Sequence, residues 1–313
     1  MVLPTRNRPP LMMQALGSAL SQEGVEVEVI VVDDASSDDT PAVLSGVDDR
    51  RLTVLRHEEP KGPAAARNAG IDRARGDWVA FLDDDDFYAP GKLHIQIEDA
   101  DRLGSSFSYT GRIEIDDSGS VIQQRLMSEH ASLAVGLLED NLVGGPSAVI
   151  VRSDLLAEIG GFDERLPPLE DWDLWIRAVA AGTAAVRREP LYAYRRHRQN
   201  LWVTAAARIP DAFEVMREKH DRAAAEAGIE FGSVWIARSA AARDLADGRR
   251  LRAAGRLLKS AASERNLREA ARALLTLGGD RSQRLGMSAM ARVTPRPDWL
   301  DDAMSDYPER ARS

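Results

Sequence analysis

Apolar residues in the first half of the chain fall in short blocks separated by polar, helix-compatible segments. Val27-Glu28-Val29-Ile30-Val31-Val32 is a β-branched run that predicts a strand covered on both faces. Upstream, Leu11, Ala15, Leu16, Ala19 and Leu20 sit at helical spacing within Leu11 to Ser21. Downstream, Ser36-Ser37-Asp38-Asp39-Thr40-Pro41 combines capping side chains with an early proline, which marks a helix start. Alternation at Leu52 and Val54 predicts a strand over Arg51 to Arg56, followed by a small-residue helix over Ala64 to Ala74 and a third apolar strand over Asp77 to Leu82. Strand and helix in alternation imply a mostly parallel sheet with helices on both faces. Right-handed crossovers then bring the strand ends to one edge.

Past that point the period is less regular. Phe107 to Ile115 and Ser120 to Arg125 predict strands around the turn Asp116-Asp117-Ser118-Gly119. Ser128 to Asn141 reads as helix, Ser147 to Val151 as strand, Glu170 to Ala181 as a helix after the break at Gly160-Gly161, and Tyr192 to Tyr194 as a last strand. Beyond Thr204 the composition turns to Ala, Arg, Leu and Glu. Helices are expected over Ile209 to Ala227, Ser233 to Leu245, Leu251 to Ser263 and Leu267 to Leu277, with breaks at Gly248 and Gly278. The polar end, Pro295 to Ser313, is expected to be disordered.

Composition narrows the class. The 313 residues allow one large domain or a medium and a smaller one, and 44% hydrophobic with 29% charged residues is a soluble globular profile. A net charge of −9 argues against a nucleic-acid binder, although Arg crowds the stretch from Arg238 to Arg292. With no cysteine, disulfides and thiolate metal sites are excluded. No stretch approaches the roughly 20 apolar residues that span a bilayer, and Met1 to Pro10 lacks a signal-peptide core. A cytoplasmic protein is expected. The Arg-rich part leaves a peripheral membrane contact open, with solvated helix faces as the simpler reading.

Two strands end in acids: Val31-Val32-Asp33-Asp34 and Phe81-Leu82-Asp83-Asp84-Asp85-Asp86. In open α/β sheets ligands bind outside the carboxyl ends of the strands, so both groups are expected at one crevice. Four consecutive Asp repel one another unless a cation joins them, and Mg²⁺ or Mn²⁺ with hard oxygen ligands and substrate phosphates is the natural partner. A solvated acidic loop is the plain alternative. The preceding strand and the following Phe87-Tyr88 favour the metal.

The ordered set Leu3-Pro4-Thr5-Arg6-Asn7-Arg8, Val32-Asp33-Asp34-Ala35-Ser36-Ser37-Asp38-Asp39-Thr40, Gly62-Pro63-Ala64-Ala65-Ala66-Arg67-Asn68-Ala69-Gly70-Ile71 and Phe81-Leu82-Asp83-Asp84-Asp85-Asp86 resembles a family 2 glycosyltransferase over roughly residues 2 to 200. The resemblance implies a GT-A fold over residues 1–203, with a Rossmann-like nucleotide-binding half (1–110) and an acceptor-binding half (111–203), a C-terminal helical region (204–294) and a polar tail (295–313). It implies that Pro4, Thr5 and Arg6 line the base pocket, that Asp34 accepts from the nucleobase and that Arg67 reaches the nucleotide or its diphosphate while Asn68 braces the loop. Asp84 would contact the ribose and Asp85 the metal, with Asp83 and Asp86 in support. The family often has a hydrophobic or stacking residue where Arg6 stands, and usually several more apolar residues before the Pro4-Thr5 stretch, completing the first strand, than Met1-Val2-Leu3 supplies.

Later motifs extend the resemblance. Gly160-Gly161-Phe162-Asp163-Glu164 and Glu170-Asp171-Trp172-Asp173-Leu174-Trp175-Ile176-Arg177 are similar to the family's acceptor-side motif, making Asp171 the general base. A helix N-terminus would keep that carboxylate ionised, with Glu170 and Asp173 as competing carboxylates and Glu170 and Trp172 near the acceptor. The plain reading is an N-cap acid on a helix whose tryptophans are core. In Tyr194-Arg195-Arg196-His197-Arg198-Gln199-Asn200, His197 would complete the metal shell; His57, His94, His130 and His220 have no motif around them and read as ordinary. The whole implies inverting transfer from a nucleoside-diphosphate sugar, a UDP-sugar first, to an acceptor hydroxyl that stays unidentified. The rivals are a nucleotidyltransferase making nucleotide-sugars and an inactive nucleotide-sugar-binding scaffold. The C-terminal helices are expected to offer pairing surfaces, including for a homo-oligomer.

Overall fold

The computed structural model describes residues 1–127, 132–197, 205–264, 297 and 299–300. Strand β1 (Val2–Thr5) is short and wholly buried, and leads through a tight loop into α1 (Pro9–Leu20). β2 (Val29–Asp33) is buried at all five positions, as its β-branched run requires. Then come α2 (Thr40–Ser45), β3 (Leu52–Arg56), α3 (Pro63–Arg73), β4 (Trp78–Ala80), β5 (Phe87–Tyr88) and α4 (Lys92–Leu103). The middle contributes β6 (Phe107–Ile115), β7 (Val121–Arg125), α5 (Leu133–Glu139), a 3₁₀ turn at Pro146–Ala148, β8 (Val149–Arg152), α6 (Ser153–Ile159), α7 (Glu170–Ala181) and β9 (Ala184–Arg195). Helices α8 (Ile209–Glu226), α9 (Ser233–Ala246) and α10 (Arg250–Glu264) follow.

β2 lies between β1 and β3, parallel to both, and a parallel bridge between Val2 and Phe81 carries the sheet towards β4. There the all-parallel pairing ends, although β6 and β9 are again parallel. β4 pairs antiparallel with β8, which leads through β6 and β9 to β5, while β7 folds back on β6. The mostly parallel sheet expected from the alternation therefore holds for β1 to β3 and gives way to a mixed six-stranded sheet. The turn at Asp116–Gly119 is the reason for β7, because antiparallel neighbours need only a hairpin. Parallel pairing places the ends of β1, β2 and the Phe81 segment on one edge, where Thr5 is level with Asp33. Helix α3 packs closely on β1: a Cβ on Gly70 would lie 2.3 Å from Val2 Cγ1, so only glycine fits.

Helices α4 and α6 have no counterpart in the sequence reading. The inner face of α4 buries Lys92, Gln96 and Asp99, which interrupts its apolar period, and α6 is only seven residues long. β9 begins eight residues before Tyr192 because its first half carries Arg187, Arg188 and Glu189 rather than an apolar alternation.

The chain forms two compact units that do not follow sequence order: Met1–Ala131, Val143–Met216 and Arg296–Ser313 make the first, Ser132–Leu142 and Arg217–Pro295 the second. The first thus extends past the expected boundary at residue 203, since Phe213 packs against Trp172 and Met216 is fully buried. Within the second, α5 joins the later helices through the Gly232 N–H to Leu138 carbonyl bond of 2.7 Å and an Arg238–Asp140 ion pair. Of the polar end, residues 297, 299 and 300 are described, and there Leu300 is fully buried beside Phe87, Ile113 and Ile115, with Trp299 against the same cluster. The helix expected over Leu267 to Leu277, and residues 128–131 and 198–200, lie outside the described residues. Among those described, no helix is long and apolar enough to cross a membrane.

Candidate active site

The end of β2 holds two acids with full sets of partners. Asp33 pairs with Arg56 and accepts the Ser36 N–H at 2.9 Å. Asp34 accepts from the backbone N–H groups of Lys61 and Gly62, each at 2.8 Å, and lies 2.8 Å from His57 Nδ1. His57, read from sequence as ordinary, is therefore part of the site. Asn7 and Ala35 adopt left-handed φ angles of 56°, and the Asn7 side-chain carbonyl accepts the Ser37 N–H at 2.8 Å, clamping the loop after β1 to the loop after β2. Asn tolerates that conformation, whereas Ala holds it at a cost of about 1–3 kcal/mol.

The acidic run follows Phe81 and Leu82, both fully buried, and turns back on itself through the Asp86 N–H to Asp83 carbonyl bond of 3.1 Å. The four carboxylates differ in their sets of partners, and two of them share Arg8. Asp83 takes Arg67 at 2.6 Å. Asp84 accepts the Thr5 hydroxyl at 2.9 Å and Arg8 Nη1 at 3.1 Å. Asp85 Oδ2 meets the same Arg8 nitrogen at 2.9 Å and His197 Nε2 at 2.8 Å. Asp86 accepts the Arg195 N–H at 3.1 Å. Burial, and then the charge of Asp85, push Asp84 up to about 7; burial with Asp85 and Asp83 drives Asp86 well above its ordinary range.

On the acceptor side, Asp171 lies in the first turn of α7 and accepts the Trp172 N–H at 2.6 Å. The expectation that the helix N-terminus keeps it ionised is overturned: burial and then the adjacent Glu170 raise it to about 8. Glu170 is buried, with Oε1 3.0 Å from Arg67 Nη1 and no partner on Oε2. Trp172 is fully buried, with its ring against Phe213. Asp173, the other competing carboxylate, is buried in an ion pair with Arg177 at 2.7 Å and is removed from the chemistry.

Arg67 ties the two sides together. Its guanidinium bridges Asp83 and Glu170, lies over the Phe162 ring at 5.3 Å from the centroid, and is only 4% exposed. In this arrangement it does not reach outward to a nucleotide. Burial opposes its charge, but Asp83 and Glu170 outweigh that and hold it protonated. Asn68 braces the segment after Gly161, donating to the Phe162 carbonyl at 2.9 Å and accepting the Phe162 N–H at 2.8 Å. Pro4 and Thr5 are buried and Arg6 is exposed; the Thr5 hydroxyl orients Asp84.

Sequence reasoning missed Arg8, His57 and Ser147, whose hydroxyl accepts the Asp83 N–H at 3.1 Å. Arg8 had one available signal, its place three residues after Thr5 in the first motif. Ser147 had none. Of the other histidines, His94 faces Glu98 and His220 packs on Phe231, while His130 lies outside the described residues.

The donor set suits a cation held partly by substrate. Asp85 Oδ2 and His197 Nε2 converge, and among the described residues no group of three His, Asp or Glu could hold an ion by itself. Mg²⁺ and Mn²⁺ commonly take one or two protein ligands and complete their shell with phosphate oxygens and water.

Comparison with known proteins bears on the family and the fold. The sequence model of glycosyl transferase family 2 matches residues 1–160. Succinoglycan biosynthesis protein ExoO of Rhizobium meliloti is 35% identical over 192 residues, 58% of this chain and 55% of that protein, so the matched region spans little more than half of that relative. The uncharacterized glycosyltransferase YwdF of Bacillus subtilis is 30% identical over 226 residues, 70% of this chain and 82% of its own. Among solved structures, S. aureus TarS 1-349 in complex with UDP-GlcNAc has a TM-score of 0.59 at 22% identity, covering 99% of this chain and 81% of that one. The mannosyltransferase PcManGT from Pyrobaculum calidifontis, in complex with GDP-Man and Mn2+, gives 0.51 at 17% identity, with 99% and 86% covered. At these identities the likeness bears on the fold, which is GT-A.

Proposed function

The chain belongs to glycosyl transferase family 2, and from that premise we propose that it moves a sugar from a nucleoside-diphosphate sugar, a UDP-sugar first, to an acceptor hydroxyl with inversion at the anomeric carbon. The observation that carries this reading is the ion-pair series Asp83–Arg67–Glu170, with Asp171 adjacent, which joins the donor-side acids to a carboxyl suited to act as base. The base pocket falls to Pro4, Thr5 and Arg6 around Asp34, whose geometry is fixed by the Lys61 and Gly62 N–H groups. Asp84, held by Thr5, faces the ribose.

Asp85 and His197 would hold Mg²⁺ or Mn²⁺ against the diphosphate. Such an ion, when bound, offsets the charge that develops on the leaving group. The protein's own part is to place Asp171 at the acceptor hydroxyl and take its proton as that oxygen attacks opposite the leaving nucleoside diphosphate. A base with a pKa near 8 is well matched to a reaction run near neutrality. Burial of the site limits loss of the donor to water. Asp86 and Asp83 support the loop through Arg195 and Arg67. The decisive experiment is release of nucleoside diphosphate from a panel of nucleotide-sugars by the wild type, Asp85→Asn and Asp171→Asn. Loss of turnover in both variants supports the reading, and unchanged turnover in both overturns it.

A further inference from the structure

Arg8 is not accounted for by the reading above. One of its nitrogens, Nη1, contacts Asp84 Oδ1 at 3.1 Å and Asp85 Oδ2 at 2.9 Å, and so joins the acid assigned to the ribose to the acid assigned to the cation. Asp85 Oδ2 is also the oxygen that meets His197 at 2.8 Å. The other oxygen of Asp84 is occupied by the Thr5 hydroxyl. Arg8 therefore sits at the point where the proposed ligands converge.

We infer that Arg8 is a built-in counter-ion that holds the cation subsite until donor arrives, and thereby couples metal binding to nucleotide binding. This rests on the proposed role of Asp85. A guanidinium and a divalent ion on the same carboxylate oxygen repel one another and cannot both be accommodated there. The main chain at Arg8 is anchored, since its carbonyl accepts the Met12 N–H at 2.9 Å at the start of α1, so the side chain is what yields. That side chain is 24% exposed, against 9% for Asp85. A released guanidinium pairs readily with phosphate oxygens, so the arriving diphosphate draws Arg8 away while supplying ligands to the ion. Without nucleotide, apparent metal affinity falls by the fraction of molecules in which the bridge is open. A bridge made about nine-tenths of the time lowers it about tenfold.

The test is Mn²⁺ binding to the full chain, followed by electron paramagnetic resonance, with and without saturating UDP and, in parallel, GDP. In Arg8→Met, Mn²⁺ affinity without nucleotide should rise about tenfold while affinity with nucleotide changes little, so that the metal–nucleotide coupling shrinks by the same factor. An equal rise in both conditions would indicate only a general charge effect and overturn the inference, as would no rise or a loss. Arg8→Gln, a shorter but polar neutral side chain, must show the same gain and serves if the methionine variant does not fold. Asp85→Asn should abolish Mn²⁺ binding in every condition. If it does not, the metal assignment itself fails, whatever Arg8 does. If it does and the Arg8 variants show no gain, only the counter-ion role fails.

Discussion

The two acidic strand ends look alike in sequence and behave differently in the fold. At β2, Asp33 and Asp34 are met by Arg56, His57 and three backbone N–H groups, those of Ser36, Lys61 and Gly62. On the reaction side, Asp84, Asp86 and Asp171 are all pushed upward, each chiefly by burial and then by a neighbouring carboxylate. On the proposed function, this difference separates a recognition wall from a surface that takes up positive charge and a proton. The same residue type at the same place on a strand thus takes its role from what surrounds it.

The sharpest way to break this division is to exchange its members. Asp171→Asn should lower turnover on the order of a thousandfold with donor KM little changed, as for loss of a general base, in steady-state assays of nucleoside diphosphate release. Asp34→Ala should act on the other parameter. It should weaken nucleotide binding by roughly ten- to a hundredfold in calorimetry and lower stability by about 1–3 kcal/mol in urea unfolding, because the Lys61 and Gly62 N–H groups lose their acceptor. If Asp34→Ala reduced turnover alone, the recognition and reaction sides would not be distinct.

Acidity offers a milder test. Asp84 and Asp171 have folded values of about 7 and about 8, raised from 3.8. Groups raised in this way favour the folded protein when protonated. Their contribution is complete below about pH 4 and is lost as pH rises through 7 to 8, so the apo-protein's melting temperature should fall over that interval. Asp171→Asn should flatten the fall, and kcat/KM of the wild type should climb towards a plateau above about pH 8. A melting temperature that rose across the interval would contradict the assigned directions. The smallest effect is expected from Thr5→Val, which removes one hydrogen bond to Asp84, about 1 kcal/mol, and should shift donor affinity by a few-fold.

Much of this site was legible without coordinates. The acids stand at strand ends because β-branched and apolar runs must be buried, and polar residues resume where the sheet stops, so Asp34 and Asp83–Asp86 could be assigned to one edge. Asp171 is singled out through the resemblance of Glu170-Asp171-Trp172-Asp173 to the family's acceptor-side motif, because the helix alone, with Trp172 and Trp175 buried, reads as an N-cap acid over core tryptophans. The helix α4 was hidden because buried Lys92, Gln96 and Asp99 replace the apolar stripe that betrays a helix.

Local periodicity and ordered motifs thus determined the family, the buried parallel strands and the place of the acidic run at a strand end, and they made Asp171 the candidate base. Tertiary structure alone decided that Arg67 faces inward to Glu170 rather than outward, that Arg8 joins Asp84 to Asp85, that His57 belongs to the site and that Asp171 rises instead of falling. The reason is physical. Strand and helix patterns follow from neighbours a few residues apart, whereas ion pairing and desolvation depend on groups such as Arg67 and Glu170, 103 positions apart, that only the folded sheet edge brings within 3.0 Å.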